Sequence, residues 1–381
     1  MKKAVSCILL FLCLIHAFSA AVFAYSAEAY CVVETESGDT VFASNENKRL
    51  PMASTTKIMT ALLMLELFDP AETVSVPREA CGTEGSSVYL IPGEEMTVEA
   101  LVSAILLNSA NDAAAAGAIL AGGSISSFAE MMNERAEEIG MKDTRFVNPH
   151  GLDDEGHFTT AHDLALLIRE AIRNPDFLRI SGTYRTEIPL NGTPGERLLI
   201  NHNKLLRTLP GCISGKTGYT KAAGRCLVSV CERNGVTLAA VTLNDPDDWD
   251  DHAALYEAAF PLFTAVCPAE KNEWRFDIPV TGGTSGLVTV SNPEAFRTVL
   301  RRSADGGEPE ITVRPVLPPS LSAPVEEGKT VGSLVFFRGD TPIGSVSLNA
   351  ETGIPQKEEA LSFWQKLCRF FRKLLSTPLT L

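Results

Sequence analysis

Three short motifs follow one another along the 381-residue chain and together contain the side chains of a serine acyl-transfer site. They read S-T-T-K at 54–57, S-A-N at 109–111 and K-T-G at 216–218. Each motif alone recurs by chance in a chain of this length. As an ordered set they supply a hydroxyl nucleophile, an amine base, a second hydroxyl with an amide, and a cationic anchor. These are the groups that make and break an acyl-serine ester.

In the first motif, Ser54 is the candidate nucleophile and Lys57 is its candidate base. Residues three apart lie on the same side of a helix, so the Lys57 amine can reach the Ser54 hydroxyl. Residues 58–64 are almost entirely apolar, which predicts a buried helix. Burial lowers a lysine pKa and lets a neutral amine accept a proton. Taken alone, Ser54 would equally suit the N-cap of that helix.

The second motif supplies Ser109 and Asn111, which follow an apolar helical pattern. A hydroxyl at position 109 can relay a proton to the leaving amine, and the Asn111 amide can hold the substrate backbone. The alternative is a helix–turn–helix junction in which either side chain caps the second helix.

The third motif lies between apolar runs that predict strands, and glycine on a strand permits close approach by a ligand. An extended substrate would pair along this strand edge, with Lys216 and Thr217 holding its terminal carboxylate next to Gly218. The backbone N–H groups of Ser54 and Tyr219 are the predicted oxyanion donors. The alternative for this glycine-rich segment is an exposed turn.

The remaining pattern predicts a mixed catalytic domain followed by a small all-β domain. Between residues 25 and 267 we expect helices at 56–67, 98–107, 127–139 and 161–172, and strands at 225–232 and 236–243. R-N-G at 233–235 predicts a hairpin between those two strands. After a polar linker at 268–273, residues 274–350 contain short β-rich runs interrupted by prolines, which favour edge strands or loops.

The N-terminus predicts a signal peptide over residues 1–24. Lys2 and Lys3 precede a short apolar run at 8–18, and V-F-A at 22–24 offers a cleavage site. A membrane anchor is the alternative. Because residues 1–24 contain two lysines and no acid, cleavage lowers the formal net charge from −14 to −16. So acidic a chain is not expected to bind nucleic acid.

Cysteine usage predicts neither a metal site nor a disulfide framework. Seven cysteines remain after position 24, with no C-x-x-C pair and no Cys/His cluster. We expect most of them to be buried as small hydrophobic side chains, with one disulfide left open. No cofactor is expected, because the three motifs need none.

Four stretches resemble the low-molecular-weight penicillin-binding proteins, specifically the serine-type D-alanyl-D-alanine carboxypeptidases. They are residues 50–60, 109–113, 148–152 and 215–224. The resemblance, over about residues 28–350, implies an α/β (α+β) fold of the β-lactamase/transpeptidase type, with an antiparallel sheet flanked by helices and a helical subdomain.

The resemblance also implies function. It implies Ser54 as acylated nucleophile, Lys57 as base, and Ser109, Asn111 and Lys216 as the rest of the site. The implied substrate is a peptidoglycan stem pentapeptide, with β-lactams as covalent inhibitors. Tyr219 is a departure, because His is common there in the family; peptide preference would differ if its side chain contacts substrate.

Three other activities stay open at this point. A class A β-lactamase needs a carboxylate for deacylation, and E-x-x-L-N at 187–191 matches its loop. That match lies too close to Lys216, its context reads as strand and turn, and the second motif is S-A-N rather than S-D-N. A penicillin-sensing module would be acylated without turnover. An endopeptidase acting on D-amino crosslinks would use the same residues.

The C-terminus predicts an amphipathic helix within 357–381 that attaches to an anionic membrane surface. At ~100° per residue, positions 361–375 separate an aromatic and aliphatic half from a half containing four cations. Fifteen residues rise about 22 Å, and charges recur at every turn, so this segment does not span a bilayer. With the signal peptide, this predicts export across the cytoplasmic membrane and peripheral attachment to its outer face. Docking on the protein's own core is the alternative.

Overall fold

The computed structural model describes residues 25–190, 195–303, 307, 310–358, 364, 367 and 368. The chain divides into two compact units, Met1–Phe263 and Thr264–Leu381. The predicted signal peptide at 1–24 lies outside the described residues, as does most of the predicted helix at 357–381.

The first unit contains nine strands among the described residues: β1 (Ala29–Glu34), β2 (Thr40–Ser44), β3 (Thr73–Ser75), β4 (Glu95–Thr97), β5 (Arg185–Pro189), β6 (Glu196–Ile200), β7 (Cys212–Thr220), β8 (Gly224–Arg233) and β9 (Val236–Leu243). Five of them form an antiparallel sheet with the order β2-β1-β9-β8-β7. Its strand β7 is therefore an edge strand. Two separate two-stranded sheets are formed by β3 with β4 and by β5 with β6.

The predicted hairpin between β8 and β9 is confirmed. Arg233 pairs with Val236, and the two residues between them have φ of +52° at Asn234 and +76° at Gly235. Positive φ at both central positions matches the right-handed twist of the flanking strands, which is why Asn-Gly is favoured in such two-residue turns.

Helices cover both faces of the sheet. They are α1 (Lys57–Leu67), α2 (Val98–Leu106), α3 (Asn111–Gly122), α4 (Ile125–Ile139), α5 (Ala161–Ala171), α6 (Pro175–Ser181), α7 (Leu205–Thr208) and α8 (Asp248–Ala259). On β9, Val241 joins the core shared with α1, whereas Thr242 hydrogen-bonds to His252 of α8. Successive strand residues point to opposite faces, so these two contacts place helices on each side.

The four predicted helices correspond to α1, α2, α4 and α5, with ends that differ by one or two residues. Helix α1 is buried from Lys57 through Leu65. A helix without a polar face can only be stable when it is surrounded, and α1 contacts α2, α3 and α5. The apolar run at 58–64 therefore predicts both the helix and its central position.

The second unit is all-β, as expected. Its strands are β10 (Phe263–Ala269), β11 (Arg275–Thr281), β12 (Leu287–Ser291), β13 (Phe296–Arg301), β14 (Ile311–Val316), β15 (Leu321–Ser322), β16 (Thr330–Arg338) and β17 (Thr341–Ala350). A six-stranded sheet has the order β14-β16-β17-β12-β11-β15, and β10 pairs with β13. Pro315 lies on the edge strand β14, where a missing N–H is tolerated. Strands β10, β13 and β15 were not predicted: β10 runs into the predicted linker, β15 has only two residues, and a threonine at one inward position of β13 weakens its alternation.

Within the described part of the chain, no helix combines the length and apolarity needed to cross a bilayer. The seven cysteines after position 24 are free thiols. The prediction that most of them are buried is wrong: Cys31, Cys226 and Cys231 are buried, whereas Cys81, Cys212 and Cys267 are half-buried and Cys368 is exposed.

Candidate active site

The first motif forms a tight turn that leads directly into α1. Ala53–Thr56 is a 3₁₀ turn, and α1 begins at Lys57. Ala53 has φ of +48°, a costly conformation for a residue with a Cβ. The alternative that Ser54 caps the helix is wrong, because Thr56 occupies the N-cap position and no side chain caps it. Instead, the Lys57 amine lies 2.8 Å from the Ser54 hydroxyl oxygen.

Lys57 has a solvent exposure of 0% and three oxygen neighbours. Its Nζ contacts Ser54 Oγ at 2.8 Å, Asn111 Oδ1 at 2.7 Å and the His150 carbonyl oxygen at 2.6 Å. Burial lowers the pKa of Lys57 well below its ordinary value, and the positive charge of Lys216 lowers it further. The structure thus brings together Ser54, Lys57 and Asn111 as the sequence predicts.

The carbonyl of His150 was not foreseen as part of the site. Asn148 Oδ1 accepts hydrogen bonds from the backbone N–H groups of His150 and Gly151 at 3.2 and 2.7 Å, which fixes the loop. Thr60 on α1 donates to the Pro149 carbonyl at 2.6 Å. Gly151 has φ of +87°, and a Cβ there would collide with the Ala53 carbonyl. Only glycine allows this loop to lie against the nucleophile turn.

The second motif is a strained junction between α2 and α3. Ser109 has φ of +57°, and α3 begins at Asn111 with Ala110 at its N-cap position. Neither polar side chain caps α3, so that alternative is wrong. The Asn111 side chain spans the site: its oxygen accepts from Lys57, and its Nδ2 donates to the Glu84 carbonyl at 2.6 Å.

Asp112 anchors the loop that Asn111 contacts. Its buried carboxylate accepts from Ser87 Oγ at 2.6 Å and from the backbone N–H of Leu90 at 3.0 Å. The backbone N–H of Asn111 donates to the Ser86 carbonyl at 2.6 Å. Because Ser86 lines the site cavity, Asp112 shapes one wall without entering it. Sequence reasoning had passed over this residue.

The third motif lies on β7, so its interpretation as an exposed turn is wrong. Lys216 is 1% exposed, and its Nζ donates to Ser109 Oγ and to the Thr217 carbonyl, each at 2.9 Å. Burial lowers the pKa of Lys216 to about 7. A Cβ on Gly218 would lie 3.0 Å from the Ser54 nitrogen, so glycine permits the close approach of β7 to the nucleophile turn.

His157 supports the nucleophile turn from behind. Its Nδ1 accepts from the Val147 N–H at 3.1 Å, so its Nε2 carries the proton and donates to Thr56 Oγ1 at 2.7 Å. The Thr56 hydroxyl in turn donates to the Ala53 carbonyl at 2.8 Å. Burial lowers the pKa of His157 to about 4, which keeps the ring neutral near pH 7. Sequence reasoning did not single out this residue.

A cavity of about 320 Å³ opens beside the Ser54 hydroxyl. Its lining includes Ser54 and Ser109 from the first two motifs and Thr217, Gly218 and Tyr219 from β7. Tyr219 is 67% exposed at the rim. The cavity also has lining residues that the motifs did not indicate: Ser86, His202, Arg225, Asp248 and Trp249. Arg225 directly precedes the buried run C-L-V-S-V-C at 226–231, and a charged residue at the start of a buried run was the available signal.

The E-x-x-L-N match of a class A β-lactamase loop does not reach this site. Glu187 lies on β5, paired with β6, and its half-exposed side chain forms an ion pair with Arg185 at 2.9 Å. It is not among the residues that line the cavity. The strand predicted for this segment is confirmed.

Fold and site define a serine hydrolase, and comparison with known proteins identifies the family. The chain belongs to the peptidase S11 family, D-alanyl-D-alanine carboxypeptidase, whose model matches residues 16–247. A second model, the C-terminal domain of penicillin-binding protein 5, matches residues 263–356. The function is therefore that of a D-alanyl-D-alanine carboxypeptidase, a serine-type peptidase.

Three relatives illustrate the similarity. D-alanyl-D-alanine carboxypeptidase DacF of Bacillus subtilis is 29% identical over 344 residues, which are 88% of this chain and 86% of the relative. The crystal structure of DacD from Francisella tularensis is 27% identical, with a TM-score of 0.62 over 88% of this chain and 95% of that one. Penicillin-binding protein D2 of Listeria monocytogenes, solved in an ampicillin-bound form, is 30% identical, with a TM-score of 0.56 over 62% and 99%.

Proposed function

We propose that this enzyme removes the terminal D-alanine of peptidoglycan stem peptides through an acyl intermediate on Ser54. The observation that carries the proposal is the hydrogen bonding of Lys57. A neutral amine has two N–H groups and one lone pair. The carbonyl oxygens of Asn111 and His150 accept the two N–H groups at 2.7 and 2.6 Å, so the lone pair faces the Ser54 hydroxyl at 2.8 Å.

In the acylation step, Lys57 takes the Ser54 proton while Ser54 Oγ attacks the carbonyl carbon of the penultimate D-alanine. The backbone N–H groups of Ser54 and Tyr219 are the proposed donors to the developing oxyanion. When the tetrahedral intermediate collapses, the peptide C–N bond breaks and the departing amine of the terminal D-alanine must gain a proton. We assign this delivery to Ser109, which relays the proton that Lys57 took from Ser54, so that Ser109 keeps its hydroxyl and Lys57 is neutral again for deacylation.

Lys216 is proposed to act both on Ser109, the proton donor to the leaving amine, and on the substrate. Its Nζ lies 2.9 Å from Ser109 Oγ, and Ser109 lies in the same cavity as Ser54. The Lys216 charge keeps Lys57 neutral and attracts an anionic substrate. Thr217 and the backbone of Gly218 remain the proposed contacts along β7, with Lys216 and Thr217 towards the terminal carboxylate. Deacylation repeats the sequence with water as nucleophile and Lys57 as base.

β-Lactams are the proposed covalent inhibitors. Their strained amide takes the place of the scissile peptide, but ring opening leaves the departing nitrogen tethered to the acyl group. The Listeria relative with ampicillin bound has the same fold, and this supports β-lactam binding by the present chain.

The antiparallel edge strand β7 suits an extended peptide substrate, which would pair along it.

We also propose the domain roles and location. Residues 25–267 would form the catalytic domain and 274–350 the accessory β domain, after removal of 1–24 as a signal peptide. The basic and aromatic pattern at 361–375 supports peripheral attachment to the outer face of the cytoplasmic membrane.

The experiment is an assay of purified residues 25–358 on a stem pentapeptide ending in D-Ala-D-Ala. The proposal expects repeated release of free D-alanine, with no release by the Ser54→Ala variant. Stoichiometric penicillin labelling without D-alanine release would favour a sensing module instead. Turnover of crosslinked dimers in preference to pentapeptide would favour an endopeptidase.

A further inference from the structure

Two thiols face each other at the open end of the β7–β8 hairpin. Cys212, the first residue of β7, lies directly opposite Cys231 on β8. Residues directly opposite in an antiparallel pair share one face of the sheet, so these two side chains are neighbours. Cys31 and Cys226 also lie on strands of this sheet, but each of them lies opposite residues other than cysteine. The pairing therefore singles out Cys212 and Cys231.

The hydrogen-bond pattern brings this pair close together. The backbone N–H of Glu232 donates to the Gly211 carbonyl at 2.8 Å, whereas that of Cys212 donates to the Leu209 carbonyl at 3.1 Å. Cys212 and Cys231 are thus a non-hydrogen-bonded pair, the type in which opposing Cα atoms lie only about 4.5 Å apart. A disulfide needs a Cα separation of about 4.4–6.8 Å. The two strands are therefore suited to a disulfide at this position.

The two thiols differ in access and in acidity. Cys231 is fully buried, whereas Cys212 is half-buried. A hydrogen bond from Cys231 lowers the pKa of Cys212, and the amide of Asn203, whose Nδ2 lies 3.9 Å from Cys212 Sγ, lowers it further. The same hydrogen bond raises the pKa of Cys231. Because the thiolate is the reactive form of cysteine, Cys212 is the sulfur that an external reagent meets first.

We propose that Cys212 and Cys231 form a disulfide by exchange with a low-molecular-weight disulfide outside the cytoplasm. The Cys212 thiolate attacks one sulfur of that molecule, whose S–S bond breaks and releases one thiol. Cys231 then gives its proton to solvent, and its sulfur attacks Cys212 Sγ in the mixed disulfide. This second step forms the bond between the two cysteines and releases the second thiol. Two cysteines are oxidised, and one external disulfide is reduced to two thiols.

The bond would fasten the strand that carries the third motif. Strand β7 ends the order of its sheet, and its neighbour is β8. Residues 221–223 connect the two strands beyond Thr220, whereas their other ends, at Cys212 and Cys231, have no such short connection. Lys216 lies between the two ends of β7. A disulfide restricts the unfolded chain, and closing a loop of about 20 residues should raise the Tm by about 5–10 °C.

The inference uses the proposed export only for the oxidising surroundings in which disulfides persist. Its test is chemical and uses purified residues 25–381 with Cys368→Ser, because Cys368 is exposed and would itself react. The reduced protein is exposed to oxidised glutathione or to buffer, unfolded, and alkylated with iodoacetamide. A digest without reductant should then contain a peptide linked through Cys212 and Cys231 only after oxidation, and the Tm should rise by about 5–10 °C.

Recovery of both cysteines as alkylated thiols after oxidation would overturn the proposal, as would a link from either of them to another cysteine. Single variants separate an internal bond from simple modification. In Cys231→Ser the reaction should stop at the mixed disulfide, with one glutathione on Cys212. In Cys212→Ser the buried Cys231 should stay a thiol. A Tm rise of the wild-type size in either variant would also contradict the proposal.

Cys81→Ser is the matched control, because it removes a half-buried cysteine elsewhere in the same unit. It should keep both the linked peptide and the rise in Tm. A second readout is penicillin labelling of Ser54 after heating, which the oxidised protein should retain at temperatures where the reduced protein has lost it. Neither readout needs peptide turnover. If the linked protein releases no D-alanine, the proposed function fails and the disulfide stands.

Discussion

Lys57 and Lys216 are buried in one site, and the charge of Lys216 lowers the pKa of Lys57 beyond the effect of burial alone. In the proposed mechanism the two lysines therefore act in opposite protonation states. Lys57 must be neutral to accept the Ser54 proton, whereas Lys216 must be charged to attract a carboxylate. Burial lowers the pKa of Lys216 to about 7.

This coupling predicts the pH dependence of acylation by benzylpenicillin. The rate should rise with pH as Lys57 loses its proton, and fall again above about pH 7 as Lys216 loses its own. In Lys216→Met the rate should be lower at every pH, the alkaline fall should disappear, and the acid limb should move to higher pH. An acid limb that stays in place in this variant would show that the two lysines are not coupled.

His157 is expected to act on Ser54 through Thr56. His157→Leu removes the donor to Thr56 Oγ1 and should slow acylation about tenfold, the worth of roughly one buried hydrogen bond. His157→Gln keeps an amide donor and should retain most of the rate. His162→Gln, at a partly exposed position, serves as the matched control. The measurement is the acylation rate at saturating and limiting penicillin, and equal rates for the Leu and Gln variants would refute the positioning role.

Two buried histidines and the half-buried His150 should make the fold sensitive to acid. Burial lowers the pKa of His150 and His157 to about 4 and that of His252 to about 3, from an ordinary 6.5. The unfolded chain therefore binds more protons between these values. The free energy of unfolding should be fully maintained above pH 6.5 and fall as pH drops towards 4, by about 1.4 kcal/mol per unit for each histidine at most.

Urea unfolding at pH 7.5, 5.5 and 4.5 measures this slope. The His252 ring hydrogen-bonds with Ser229 and Thr242, neither of which belongs to the three motifs. The His252→Gln variant should be less stable at pH 7.5 but show a shallower loss towards pH 4.5. A slope identical to wild type would mean that His252 does not contribute.

The membrane prediction is tested by truncation after Glu358. This end point keeps the pairing of Ile354 with Val325, the bridge of Gln356 to Gly283 and the Lys357 N–H bond to Gly282. The truncated enzyme should be active and soluble, whereas the full chain should sediment with anionic vesicles. Trp364→Glu combined with Phe371→Glu should release it in part. Vesicle binding by the truncated protein at full strength would exclude the C-terminal segment as the anchor.

The sequence predicted best those elements whose structure is determined by residues adjacent in the chain. The apolar run at 58–64 fixes α1, and Asn-Gly at 234–235 fixes the hairpin, because each depends on neighbours in the chain. The supporting residues escaped prediction because their partners are distant. The His150 carbonyl contacts Lys57 across 93 positions, and Arg225 meets Asp248 across 23. A single sequence contains no periodicity that reports such pairs.

The turn at Ala53–Thr56 shows that distant residues can also determine the conformation of a short segment. The sequence placed Ser54 and Lys57 on one helical face, and their atoms do meet, but through a 3₁₀ turn with a left-handed Ala53. That geometry is imposed by contacts from elsewhere, namely Gly151, His157 and Gly218. Local propensity alone favours an ordinary helix start with Ser54 as its cap.

The central claim, that Ser54 is the acylated nucleophile, is tested most directly by the mass of the intact protein after exposure to benzylpenicillin. Ring opening releases no fragment, so the mass should rise by that of one whole penicillin, and peptide mapping should locate the adduct on Ser54. Ser54→Ala should gain no mass, and Lys57→Ala should gain it about 10²- to 10⁴-fold more slowly. An adduct of normal yield in Ser54→Ala, or one mapped to another residue in wild type, would contradict the assignment.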